Sequence, residues 1–178
     1  MKRKSLNYLI MAALFAALTM ALTSFKIIQT PNGSYVHLGD LFVLLAGCLL
    51  PAPYAMAAAA IGGGLADLIG APLFMPATIL VKAAIAGLMS AKSDRLLTRR
   101  NALMTLPYAA ITLVCYALYG LALIALGLDF SEKTWAAILA ASISLDALQV
   151  IASVILFFAV AAALDRIGFK QKLMHWEK

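Results

Sequence analysis

"YVHLGDLFVLLAGCLLPAPYAMAAAAIGGGLADLIGAP", Tyr35 to Pro72, decides what kind of protein this is. Two apolar runs meet at a double-proline turn, and the few polar groups, His37, Asp40 and Asp67, stand at the edges of those runs. Each proline removes a backbone donor and restricts the residue before it, so Pro51 and Pro53 predict a tight hairpin between two apolar helices.

The rest of the chain has the same character. Of 178 residues, 64% are hydrophobic and 12% charged, and the mean hydropathy is +0.96. A soluble domain of this length carries about 25% charged residues. One small core cannot bury so much apolar surface, and the natural solvent is a bilayer. The expectation is an all-α integral membrane protein, a single domain over residues 1–178. No polar linker or low-complexity tract interrupts it. The start, "MKRKSLNYLIMAALFAALTMALTSF", imitates a signal peptide. Its long apolar run without a convincing cleavage site reads as a retained first helix.

Six candidate spans follow: Leu6 to Ile27, Leu38 to Leu50, Tyr54 to Ile69, Ala77 to Ala91, Ala102 to Gly127 and Lys133 to Leu164. Against a spanning length of about 20 residues, the second, third and fourth are short, and the sixth is long enough to tilt or project. With the N-terminus inside, the inner face receives Lys2, Arg3, Lys4, Lys92, Arg95, Arg99, Arg100, Arg166, Lys170, Lys172 and Lys178. The outer face receives Lys26 and Lys133, and Lys82 stays within a span. That asymmetry predicts six transmembrane helices with both termini cytoplasmic. Basic clusters beside apolar spans also suit anionic lipid headgroups, so the charge of +6 does not imply nucleic acid.

Charges at membrane depth are costly and face the interior or a wet cavity. The short link between spans three and four allows an Asp67–Lys82 pair, either as a structural salt bridge or as groups facing a polar ligand. Asp146 and Gln149, three apart on span six, share one face. Ser142 and Ser153 extend that stripe, which suits either a small heterocycle or amide, or interhelical hydrogen bonds. Asp40 opens span two, where it either favours the helix dipole or contacts ligand. His37 is either a solvated interfacial residue or a ligand contact. Tyr116 and Tyr119 read as interhelical packing or as the aromatic wall of a pocket. The segment "KIIQTPNGSYVHLGD" turns at Pro31, Asn32 and Gly33 and reads as an ordinary loop or as a lid over an outward-facing cavity.

Catalytic and metal chemistry have little to stand on. His37 and His175 lie far apart, and no histidine–carboxylate cluster has metal-ligand spacing. "GGG" at Gly62 to Gly64 lacks the Lys-Ser/Thr of a phosphate loop and instead permits close helix approach, with Ala66 and Gly70. Cys48 and Cys115, inside apolar runs, read as packing residues. No cofactor, metal or enzymatic activity is expected. On the first helix Ala13, Ala17 and Ala21 repeat every four residues, as do Ala12 and Ala16. Such a groove serves internal packing or docking of a separate membrane subunit.

Taken together, the chain resembles the substrate-binding S component of an energy-coupling factor (ECF) transporter. The likeness lies in length, six spans, cytoplasmic termini, the Ala13-Leu-Phe-Ala-Ala17 stretch, and "HLGDLFVLLAGCLLPAPYAMAAAAIGGGLADLIGAPLFMPATILVKAAIAGLMS" with Lys82 inside it. It is similar to vitamin S components of the riboflavin, pyridoxine and hydroxymethylpyrimidine type. The resemblance implies capture of a small vitamin or precursor outside a prokaryotic plasma membrane. Delivery inward follows by docking on a transmembrane coupling subunit driven by two cytoplasmic ATPases, with toppling of the whole component. It assigns docking to Ala13 and Ala17, with Ala21 continuing the strip, and a lid to Gln29 through His37. Candidate ligand contacts are His37, Asp40, Asp67, Lys82, Tyr116, Asp146 and Gln149. Their mix of carboxylates, amine, amide and tyrosines suits a pyridoxine- or hydroxymethylpyrimidine-like ring better than the larger riboflavin. The rival reading is a stand-alone ion-coupled carrier using Asp67 and Lys82 as a titrating pair. Carriers of that kind often show repeated halves, and no clear internal repeat is visible.

Overall fold

The computed structural model describes residues 3–29, 35–89, 91–128 and 135–175. The turn at Pro31 to Gly33, Lys133, Lys2 and Lys178 lie outside the described residues, as do the side chains of Arg3, Lys4, Ser142 and His175.

The chain folds as helices α1 (Arg3–Ser24), α2 (Gly39–Leu49), α3 (Ala52–Gly70), α4 (Met75–Leu88), α5 (Arg99–Leu103), α6 (Thr105–Ala125), α7 (Trp135–Arg166) and α8 (Phe169–His175). Two short strands, β1 (Ile28–Gln29) and β2 (Tyr35–Val36), pair antiparallel between α1 and α2, with Ile28 opposite Val36. Four stretches are long and apolar enough to cross a bilayer: Ser5–Ser24, Ala52–Gly70, Arg99–Ala125 and Ile143–Arg166. Gly39–Leu49 and Pro72–Leu88 are shorter apolar helices.

The prolines act as the sequence suggests. Leu50, before Pro51, is driven to an extended conformation (φ −105°, ψ 150°), which ends α2. Pro51 and Pro53 then start α3, where a missing backbone donor costs nothing. Pro72 opens a single 3₁₀ turn, Pro72–Phe74, and Pro76 lies in the first turn of α4.

The shortness of α2 has a physical reason. Its 11 residues rise about 16 Å, about half the hydrocarbon thickness of roughly 30 Å. Of its residues, only Phe42 is not fully buried. A helix apolar all round belongs in the middle of a bundle. With almost no lipid face, α2 is under no demand to match the bilayer. α1, α3, α4 and α7 pack around it.

Close approach of α1 and α3 depends on glycine. A Cβ on Gly62 would sit 2.5 Å from the Ala16 carbonyl oxygen and 2.8 Å from Thr19 Cβ. The two alanine series of α1 therefore part company. Ala12 is buried and Ala16 half-buried, whereas Ala13, Ala17 and Ala21 are all exposed on another face.

Three details differ from the sequence expectations. α1 ends at Ser24 rather than Ile27, because the chain turns there into β1. Ile28–Gln29 and Tyr35–Val36, in the stretch read as an ordinary loop or a lid, pair as antiparallel strands. The basic stretches after α4 and α7 contain the short helices α5 and α8. α5 is capped by Thr98, whose Oγ1 accepts from the Asn101 N–H at 3.0 Å. Asp165 accepts from the N–H groups of Leu96 and Leu97 at 2.8 and 2.9 Å. Lys170, buried on α8, donates to the carbonyls of Cys48 and Ala91, each at 2.7 Å. These contacts tie the α4–α5 connection and the C-terminal end of α2 to the end of α7.

Candidate functional site

At the opposite end of α2 a polar cluster is sealed among apolar helices. Asp40, in the first turn of α2, is 1% exposed, and Lys82 of α4 is 3% exposed. They form a buried ion pair. Tyr108 of α6 donates to Asp40 Oδ2 at 3.1 Å, and Gln149 Nε2 of α7 reaches the same oxygen at 3.3 Å. Buried charge is tolerable only when paired and further hydrogen-bonded, and this cluster supplies both.

Gln149 joins the helices to the hairpin. Its Oε1 accepts from the backbone N–H of His37 at 2.8 Å, and its Nε2 also lies 3.1 Å from Ser153 Oγ. His37 Nδ1 in turn accepts from the Gly39 N–H at 3.0 Å. That bond requires a neutral imidazole carrying its proton on Nε2. Burial pushes the His37 pKa down to about 4, opposed by the Asp40 carboxylate and reinforced by Lys82.

A second carboxylate, Asp67 near the C-terminal end of α3, accepts from Tyr35 of β2 and from Thr78 of α4. Burial, then the Asp67 carboxylate, raises the Tyr35 phenol far above its ordinary pKa, so Tyr35 is a committed donor. Thr78 Oγ1 also meets Tyr116 OH of α6 at 3.0 Å. Thr78 and Lys82, four apart on α4, connect the two carboxylate clusters through one helix face. Lys26 lies 4.8 Å from the centre of the Tyr35 ring, a cation–π contact on the hairpin side.

The Asp67–Lys82 pair that the sequence allows is not formed. Asp67 is occupied by Tyr35 and Thr78, while Lys82, one turn further along α4, reaches Asp40. Four residues of helix displace Lys82 by about 6 Å from Thr78, which is the spacing that hands it to a different helix. The solvated alternative for His37 is also overturned, since it is 8% exposed. Asp146 is half-buried and, among the described residues, makes no hydrogen bond, so Gln149 alone of that pair enters the network. Tyr119 donates instead to the Leu73 carbonyl at 2.8 Å. Among the described residues, no group of three or more His, Cys, Asp or Glu could hold a metal ion.

Sequence reasoning passed over Tyr35, Thr78 and Tyr108. Tyr108, Thr112 and Tyr116 recur every four residues on α6, and Thr78 precedes Lys82 by four on α4. Polar residues at helical spacing in an apolar span were the available signal.

Fold and site together define a multi-pass α-helical membrane protein with a buried, hydrogen-bonded charge cluster among its spans. The chain matches the family model described as the ECF-type riboflavin transporter, S component, over residues 3–166, and it belongs to that family. It is therefore a vitamin-uptake binding subunit of an ECF transporter, without ATPase activity of its own. No curated protein sequence matches the chain. The family's name lends no support to the pyridoxine- or hydroxymethylpyrimidine-like ligand that the side-chain inventory favoured.

Proposed function

We propose that this protein binds riboflavin at the outer side of a prokaryotic plasma membrane and delivers it inward as the S component of an ECF transporter. The reading takes six crossings with both termini cytoplasmic, the arrangement that the distribution of lysine and arginine favours. The observation that carries it is the cluster of His37, Asp40, Lys82, Tyr108 and Gln149, drawn from four helices and the adjoining hairpin. A family named for riboflavin supplies the ligand. The ligand's ring carbonyls, ring N–H and chain hydroxyls need both donors and acceptors, and Asp40, Asp67, Lys82, Tyr116 and Gln149 offer both. Asp146 supplies a further acceptor at the edge of the cluster.

Gln29 to His37 acts as the lid, with Tyr35 held on Asp67 and the His37 N–H on Gln149. Ala13, Ala17 and Ala21 dock a transmembrane coupling subunit, which two cytoplasmic ATPases drive. Their support is an exposed face of small residues on α1, the kind of surface that permits close helix contact in lipid.

Titrating the purified protein with riboflavin and following quenching of flavin fluorescence tests the ligand. Saturable binding of riboflavin, in preference to pyridoxine and hydroxymethylpyrimidine, is expected, with uptake into vesicles only when the ATPase module and ATP are present. Binding of pyridoxine or hydroxymethylpyrimidine without riboflavin would replace the ligand. Ion-driven uptake by the lone protein would replace the mechanism.

A further inference from the structure

Three buried side-chain oxygens among the described residues have no hydrogen-bond partner: Thr19 Oγ1, Thr23 Oγ1 and Thr112 Oγ1. Thr19 and Thr23 lie where α1 crosses glycines of α3 and α2, with Thr23 Oγ1 1.9 Å from where a Gly39 Cβ would be and Thr19 Cβ 2.8 Å from that of Gly62. Their burial follows from close helix packing. Thr112 is different. It is 2% exposed on α6, midway between Tyr108, which donates to Asp40, and Tyr116, which meets Thr78.

Residues four apart on a helix share a face, so Thr112 belongs to the stripe that α6 turns toward the two carboxylate clusters. A threonine in an apolar helix ordinarily settles its hydroxyl on the carbonyl one turn back. Thr112 does not bond the Tyr108 carbonyl or any other group. Leaving a buried hydroxyl unsatisfied costs about 1–3 kcal/mol. Valine has nearly the same shape and would remove that cost, so retaining the hydroxyl needs a partner outside the chain.

We propose that Thr112 Oγ1 is a ligand contact that hydrogen-bonds an uncharged polar oxygen of the ligand, a hydroxyl or a carbonyl. The inference rests on the ligand-binding reading above and adds to it a residue that sets specificity. An uncharged oxygen suits the position because Lys82, the cation of the cluster, is already held by Asp40. An anionic group there would add a third negative charge to the carboxylates of Asp40 and Asp67.

The test compares the full chain with Thr112→Val and Thr112→Ser, reading thermal unfolding without ligand and affinity for riboflavin. Thr112→Val should unfold at the same temperature or higher, since it removes an unsatisfied group, and should bind riboflavin about tenfold more weakly. Thr112→Ser, which keeps the hydroxyl, should bind within about threefold of the parent. Unchanged riboflavin affinity in a folded Thr112→Val protein overturns the assignment, as does equal loss in the serine variant. If Thr112→Val fails to fold, the serine variant together with Thr112→Ala decides by the same criterion. If the parent ignores riboflavin, the proposed ligand falls. The Thr112 assignment is then judged by the same variants with pyridoxine and hydroxymethylpyrimidine as probes. A parent that binds none of the three overturns both.

Discussion

Lys82 pairs with Asp40, 42 residues away on α2, and not with Asp67, which lies 15 positions before it across a short hairpin. The pair sits at 3% and 1% exposure, so its energetics are those of buried charge rather than of a surface salt bridge. Removing one partner strands the other in a medium that cannot solvate it. Lys82→Met and Asp40→Asn should each destabilise the protein by about 3–5 kcal/mol, and Lys82→Met/Asp40→Leu should recover much of that loss. Thermal unfolding in detergent measures all three. A double variant no better than the worse single one would mean that the two charges do not act as a pair.

The imidazole of His37 predicts a pH dependence. Its pKa is about 6.5 when unfolded and is held near 4 in the fold by burial. Between those values the unfolded chain binds the extra proton, so stability rises with pH. The contribution is complete above about pH 6.5 and is lost as pH falls through 4. Protonated Nδ1 can no longer accept from the Gly39 N–H, so the start of α2 loosens as well. Thermal unfolding followed from pH 7.5 to 3.5 should show stability falling in that window, and His37→Asn should flatten the decline. An unchanged profile in the variant would assign the acid sensitivity to another group.

Gln149 and Asp146 should separate cleanly. Gln149→Leu leaves the buried His37 N–H without its acceptor and withdraws a donor from Asp40, which should cost at least tenfold in ligand affinity. Asp146→Ala breaks none of the cluster's hydrogen bonds and should weaken binding less, while leaving subunit association intact. Parallel titrations of the two variants check the order. A larger loss for Asp146→Ala would make that carboxylate, and not Gln149, the stronger ligand contact.

On α1 the two alanine series give opposite expectations. Ala17→Trp changes an exposed face and should leave folding and ligand binding near the parental level while abolishing uptake and association with the coupling subunit. Ala12→Trp enlarges a side chain that is 7% exposed, and overpacking there should cost about 1–3 kcal/mol or more. Co-purification with the coupling subunit, alongside unfolding temperature, distinguishes them. Unfolding caused by Ala17→Trp would make that face internal packing.

Composition and periodicity determined that this chain is helical and belongs in a bilayer. Membrane-length apolar runs admit few other solutions, since every backbone polar group must be satisfied within the span. The prolines at 51, 53, 72 and 76 likewise set helix ends locally, through backbone geometry that needs no tertiary partner. His37, Asp40, Asp67, Lys82 and Gln149 stood out because polar groups in such runs are expensive. Only the tertiary structure decided who meets whom. Lys82 had two carboxylates within conceivable reach, and the choice turned on one helical turn of α4 and on Tyr35 and Thr78 claiming Asp67. The same holds for the alanines of α1. The two series have the same composition and spacing, and the glycine crossing at Gly62 buried one and left the other exposed. Spacing along a helix determines which residues share a face. Which face is turned inward depends on the neighbouring helices.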